Sequence, residues 1–201
     1  MVTITDYIAS FARVFPTHVL KTPWSVTQKL EEIILEKIRS CCDDYVINGN
    51  LAIHKTAKIE EGVILKGPVI ISENCFIAAH AYLRAGVFCD RNVIVGPGCE
   101  VKSTIILEKS TLAHFNFAGD SIIGAHVNLE AGSILANHHN DRDDKQIFVQ
   151  VAGKQVATGS QKFGALIGDH SKIGANAVLS PGTLLKPQSI VARLTLVNQC
   201  P

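Results

Sequence analysis

Apolar residues recur at every sixth position from Ile53 to Ala113 without a miss: Ile53, Ile59, Leu65, Ile71, Ile77, Leu83, Cys89, Val95, Val101, Leu107 and Ala113. Neither a helix (period 3.6) nor a plain strand (period 2) produces this spacing, so it belongs to a repeated structural unit. Since 47% of residues are apolar, eleven consecutive hits arise by chance roughly once in several thousand trials. Four residues further into each hexad the side chain is small or β-branched (Ala57, Val63, Val69, Cys75, Ala81, Val87, Val93, Cys99). The position before it favours Gly or Asn (Gly62, Asn74, Gly86, Asn92, Gly98), residues that tolerate positive φ at a corner. These features specify a left-handed parallel β-helix. Each hexad is one short strand and a corner, and three hexads close a triangular coil with a rise of about 5 Å.

The pattern divides the chain. Residues 1 to about 48 lack hexads and carry helical stripes: Ile8, Phe11, Val14 and Phe15 up to Pro16, then Val26, Leu30, Ile33, Ile34 and Ile38. Thr22-Pro23 provides an N-cap and a proline at the first helical position. Because the bare end of a solenoid exposes an apolar cross-section, this segment is expected to cap the prism's open end. A β-helix is expected over 49–193 and a tail over 194–201. The hexads restart out of step at Phe117, followed by Ile123, Leu129 and Leu135, which places a register slip next to His114. They vanish over about 138–163, where a polar loop leads into a hairpin turning at Ala152-Gly153, and return at Ile167, Ile173, Leu179, Leu185 and Val191. Such an extruded loop is expected to reach a neighbouring prism.

Composition narrows the function classes. A net charge of +1 disfavours nucleic acid as a bulk partner, and no apolar run is long enough to span a membrane. The first fifteen residues include Asp6 and no basic leader, so they do not read as a signal peptide. The six cysteines have no metal-ligand spacing, and Cys75, Cys89 and Cys99 fall at interior positions, which fits a reducing, cytoplasmic setting.

Positions 18 apart stack in such a prism, which places Arg84 directly beneath Lys102, both pointing outward. Stacked cations repel each other unless an anion lies beside them, so they mark either a solvated face or an anion site. With the shortened coil, His114 is expected to stack on Glu130 near Asn128, a setting suited to a general base. His80, His126 and His170 occupy corner positions, and His138 and His139 lie in the polar loop. No metal is expected.

The segment LAHFNFAGDSIIGAHVNLEAGSILAN, Leu112 to Asn137, resembles the acetyltransferase domain of the bifunctional glucosamine-1-phosphate acetyltransferase/N-acetylglucosamine-1-phosphate uridyltransferase, with weaker similarity from Ile53 to Val191. The resemblance implies an acyl-CoA-dependent N-acyltransferase, with acetyl-CoA as co-substrate, acting on a phosphorylated or nucleotide-linked amino sugar in a homotrimer. It further implies His114 as general base, Glu100 as its orienter and the Ala131 N–H as oxyanion donor. Arg84, Lys102, Phe117, Asn128, Asn137 and Lys162 are implied to bind acceptor, and Ala131, Ala175 and Arg193 to line the CoA groove. Phe117 stands where the family has tyrosine, Glu130 where it has glycine, and the insertion before Lys162 is longer than the family's. Two alternatives stand beside this reading. One is a catalytically silent sugar-nucleotide-binding or regulatory subunit; the other is a metal-dependent hydratase of the carbonic anhydrase type with histidines shared between prisms.

Overall fold

The computed structural model describes residues 2–201, and the hexads form a left-handed β-helix of parallel strands on three faces. The first face is a seven-stranded sheet running from Lys58–Ile59 through Thr111–Leu112 and Asn128–Leu129 to Ile190–Val191. The second runs from Ile64–Lys66 through Phe117–Gly119 to Leu196–Val197, and the third from Leu51–His54 through Ile122–Ile123 to Thr183–Leu185. Tyr82–Cys89 and Glu100–Ile106 are long strands that turn the corner from second face to third. The corner residues singled out by composition do take positive φ, among them Gly62 (79°), Asn74 (55°), His80 (62°), Asn92 (59°), His126 (56°) and His170 (61°). Inside the prism, Ile71, Ile77, Leu83, Val95 and Val101 are fully buried, as are the thiols of Cys75 and Cys89. Burial pushes the Cys75 thiol up to about 11, so it behaves as a small hydrophobe.

The register slip lies elsewhere than expected. Arg84 pairs with Lys102, 18 residues on, but Val87 pairs with Thr104, 17 on. The corner spanned by Ala85 and Gly86 is tightened to Ser103 alone in the next coil and to Asp120 in the one after, both at φ 45°. Hydroxyl groups fill the lost backbone positions: Thr104 Oγ1 donates to the Lys102 carbonyl at 2.7 Å, and Ser121 Oγ to the Gly119 carbonyl at 2.7 Å. The interior residues are therefore Ile106, Leu112 and Ala118 rather than Leu107, Ala113 and Phe117. Each pair of neighbours is apolar at both members, so periodicity could not separate them. Leu107 is buried on the outside of the third face, and Phe117 points outward, half-buried, on the second.

The N-terminal segment also sits differently. Three short helices, α1 (Phe11–Val14), α2 (Pro23–Gln28) and α3 (Leu30–Arg39), lie along the third face instead of over an open end. Their apolar side chains join the outward residues of that face, Ala52, Ile70, Phe88, Ile105, Ile122, Leu166 and Leu184, in a second core. The reason is that this face is apolar on both sides (Val69-Ile70-Ile71, Ala165-Leu166-Ile167), the signature of a parallel strand covered twice. Phe15 packs edge-on to Phe88 with ring centroids 5.1 Å apart, and Trp24 to Phe163 at 5.9 Å. Asp169 fastens the segment, accepting from the N–H groups of Ala9 at 2.9 Å and Ala125 at 2.7 Å. Thr22 is extended as a cap should be, with Pro23 following, but its side chain makes no capping hydrogen bond.

Helix does not extend to residue 48, because Tyr45–Asn48 pairs antiparallel with Leu51–His54 along the first coil. The prism continues past 193 to Leu196–Val197, and the Gln199 amide then bonds both the N–H and carbonyl of Leu184 at 2.8 and 3.0 Å, like a further strand. The insertion contains the expected hairpin, Phe148–Val151 and Lys154–Ala157, with positive φ at Ala152 and Gly153. It is not wholly extruded: Ile147 and Val149 are fully buried in the helix-side core. Deleting residues 141–160 should therefore keep the far-UV signature of the prism while loosening the N-terminal segment, seen as faster amide exchange over residues 4–38. Unchanged exchange there would show that Ile147 and Val149 contribute little to holding it.

Candidate functional site

The corner between the first and second faces collects one set of the expected residues. His114, Ala131, Ala175 and Arg193 each precede a positive-φ residue of that corner, and they stack coil upon coil. The ladder is continuous: Gly132 N–H donates to the His114 carbonyl at 2.9 Å, Asn176 to Ala131 at 3.0 Å and Leu194 to Ala175 at 3.0 Å. At about 4.8 Å per coil, His114 and Arg193 are about 14 Å apart along the column. His114 is exposed, and its imidazole makes no hydrogen bond among the described residues. Phe115, 72% exposed at φ 51°, lays its ring over Gly98, where a Cβ would come within 2.6 Å of it. Asn116, buried beneath, fixes the turn by donating to the Glu130 carbonyl at 2.7 Å and Ser133 Oγ at 2.8 Å. Pattern reading did not single out Asn116; a polar residue between two apolar-stripe positions was the available signal.

Glu130 does not stack on His114. Thr111 pairs with Asn128 and Leu112 with Leu129, so Glu130 aligns with Ala113 and His114 with Ala131. Its carboxylate turns away to Arg193, at 2.7 and 2.9 Å, and accepts the Ala175 N–H at 2.9 Å. The Arg193 hydrogen bonds, followed by that N–H, hold its carboxyl below the usual range. A depressed carboxylate keeps this contact above the ordinary Glu range and loses it as pH falls through the lowered value, so the contact persists at neutral pH. Beside it, on the first face, a groove of about 550 Å³ is lined by Asn128, Glu130, Lys172, Gly174 and Arg193. The Ala131 N–H, in contrast, donates to no group among the described residues.

The other set gathers at the far edge of the second face, about 10 Å from His114 across a three-residue strand. Arg84 and Lys102 do stack, and the anions that relieve their repulsion come from the chain itself. Arg84 donates through Nε and Nη2 to Glu100 Oε1 at 2.9 and 2.7 Å, which takes Glu100 for Arg84 rather than leaving it to orient His114. Lys102 Nζ lies 2.8 Å from Asp120 Oδ2, which Asn137 Nδ2 also approaches. Asp120 was legible only as part of the GD step after Phe117-Ala118. Lys162 lines a hollow of about 440 Å³ at this corner with Ser103, Asp120, Glu31 and Glu32. Phe117 stands between the two edges, in register over Glu100. Asn128 lies apart from this set, around the corner on the first face. No cluster of three or more His, Cys, Asp or Glu side chains suited to a metal occurs among the described residues.

Residues 65–165 match the family model described as the GMPPB C-terminal domain, which covers half of the chain. The chain belongs to this family. Among curated proteins, it is 31% identical over 182 residues to the bifunctional sugar-1-phosphate nucleotidylyltransferase/acetyltransferase of Sulfurisphaera tokodaii, covering 88% of this chain and 45% of that protein. It is 32% identical over 162 residues to the bifunctional protein GlmU of Methanococcus vannielii, covering 72% of this chain and 38% of the relative. For the GlmU of Methanocaldococcus jannaschii the figures are 30% over 160 residues, 71% and 38%. The chain thus spans less than half the length of these relatives, and as a family member it is a hexapeptide-repeat β-helix similar to their acetyltransferase region.

Lys102 and Asp120 are largely shielded from water, with side-chain exposures of 15% and 8%. Asp120→Ala leaves a shielded ammonium without its anion, and should lower unfolding free energy by about 3 kcal/mol in urea titrations. A midpoint equal to wild type would show the pair to be energetically neutral.

Proposed function

We propose that the protein transfers an acyl group, acetyl from acetyl-CoA, to the amine of a phosphorylated or nucleotide-linked amino sugar. The observation that carries this reading is the corner column: an exposed histidine, then an unengaged amide N–H at Ala131, then the edge of a groove ending at two cations, Lys172 and Arg193. In the proposed reaction the amine nitrogen of the acceptor attacks the thioester carbonyl while His114 removes its proton. The Ala131 N–H meets the oxygen that gains charge, and collapse of the tetrahedral intermediate expels the CoA thiolate, which takes up a proton. Arg84 and Lys162 anchor the acceptor's phosphate at the opposite edge, turning remote binding energy into orientation. Both cations are paired within the chain, but Lys102 is shielded with Asp120 and shapes that edge through it, whereas the more exposed Arg84 guanidinium keeps donors beyond the two that Glu100 takes.

A corner of a prism is convex, and a site centred on it is enclosed only when a second prism packs against it. A homotrimer provides three such clefts, and the exposed apolar side chains of Ile94, Phe115 and Ile134 flank the corner where contact would form. On this reading Asn128, on the first face of one protomer, faces acceptor bound to its neighbour. A cytoplasmic setting accords with free cysteines throughout; among the described residues no helix is long and apolar enough to cross a membrane. A second reading, a silent sugar-nucleotide-binding subunit, is favoured by one observation, the occupation of the Ala175 N–H by Glu130.

Thiol release from acetyl-CoA with a panel of amino sugars separates the two readings, because only the first predicts turnover. His114→Ala should lower turnover by about 10²- to 10⁴-fold while the oligomer mass by light scattering and the melting temperature stay unchanged. Activity within a few-fold of wild type would remove His114 from the mechanism. Arg84→Ala should lower kcat/KM for a phosphorylated acceptor by about 10- to 100-fold with acetyl-CoA affinity constant. Equal turnover of the amino sugar with and without phosphate would make Arg84 an ordinary surface ion pair.

A further inference from the structure

Glu130 is placed where the proposed donor groove meets the corner column. Its carboxylate engages two groups at once, the Ala175 N–H at 2.9 Å and the Arg193 guanidinium at 2.7 and 2.9 Å. Both belong to the same column as His114, one and two coils beyond Ala131. The reach of a glutamate over a corner N–H also occurs at Glu60, which accepts from Ala79 at 2.7 Å. There no arginine joins it among the described residues. At Glu130 the same reach is closed by Arg193 on the far side of the groove, and Lys172, which lines that groove, has no carboxylate partner among the described residues. The groove therefore presents one free cation, one cation held by an internal anion, and one backbone donor held by the same anion.

We propose that Glu130 and Arg193 form a latch across the donor groove, which an acyl-CoA must open in order to bind. This inference rests on the acyltransferase reading. The donor has the complementary groups: amide carbonyls along its pantetheine arm to take over the Ala175 N–H, and phosphates to take over Arg193. Lys172 is the entry cation that receives the phosphates before the Glu130–Arg193 pair exchanges. The exchange replaces one ion pair with another, so opening costs little once an anion is present, whereas a neutral thioester lacking phosphates has nothing to offer Arg193. Glu130 is thus a residue that sets donor affinity and selects for a polyanionic donor. Removal of its carboxylate frees both Arg193 and the Ala175 N–H.

Isothermal titration of CoA itself, which binds without turnover, tests the latch. Glu130→Ala should bind CoA about 3- to 10-fold more tightly than wild type, and Lys172→Ala about 3- to 10-fold more weakly. Both positions are on the surface, and melting temperatures of the variants verify that they fold. Wild-type affinity or weaker binding in Glu130→Ala, with wild type itself binding CoA, overturns the latch and leaves the acyltransferase reading standing. Absence of CoA binding to wild type and variant alike overturns that reading and the latch with it.

Discussion

Everything in this protein depends on the parallel ladder that holds each coil one strand spacing, about 4.8 Å, above the last. The ladder is a local constraint with a long-range result: residues 17 or 18 apart in sequence share a column, and a column is either wholly inside, wholly on a face or wholly on a corner. The interior columns take apolar side chains of limited volume, or small polar ones such as Asn116 and Ser133 whose hydrogen bonds are met within the chain, because three short walls enclose them. The outward columns are free to vary, and it is there that the three faces acquire different roles.

The third face is covered, the second carries charge and the first carries a groove. Covering one face with helices and a hairpin strand strengthens the scaffold without touching the other two, because Phe88, Ile105 and Ile122 point away from the interior that all three faces share. At the corner between the two uncovered faces, a column of backbone donors, the His114 imidazole and a groove adjoin. On the far side of the second face the shortened corners draw Lys102, Asp120 and Asn137 into one network. Removing one residue from a corner brings successive side chains closer across it, and the hydroxyls of Thr104 and Ser121 make this possible by taking over backbone hydrogen bonds.

The electrostatics show why a stack of like charges in sequence does not establish an anion site. Arg84 and Lys102 are aligned as the 18-residue spacing requires, yet each has recruited a carboxylate from an adjacent coil, Glu100 and Asp120. Asp120 lies 18 residues from Lys102, the stacking interval itself, whereas Glu100 lies 16 from Arg84, so the interval points to one counter-ion and hides the other. Glu130 poses the same problem in reverse. In sequence it is a carboxylate near a histidine, and in space its hydrogen bonds go to residues 45 and 63 positions away.

The sequence by itself determined the repeat, the handed corners, the interior columns from Leu65 to Val101, the stacking of Arg84 on Lys102 and the hairpin at Ala152-Gly153, while Ile59, in the first coil, stays exposed. Each of these follows from a rule that acts over one hexad or one coil, and such rules are written in residue type. Tertiary structure alone decided that the helices take that face rather than an end, that Ile106, Leu112 and Ala118 turn inward, and that Glu130 turns from His114 to Arg193. In each of these cases neighbouring residues or competing partners satisfied the local rule equally well. The choice fell to packing and hydrogen bonding between segments that the chain brings together only when it is wound.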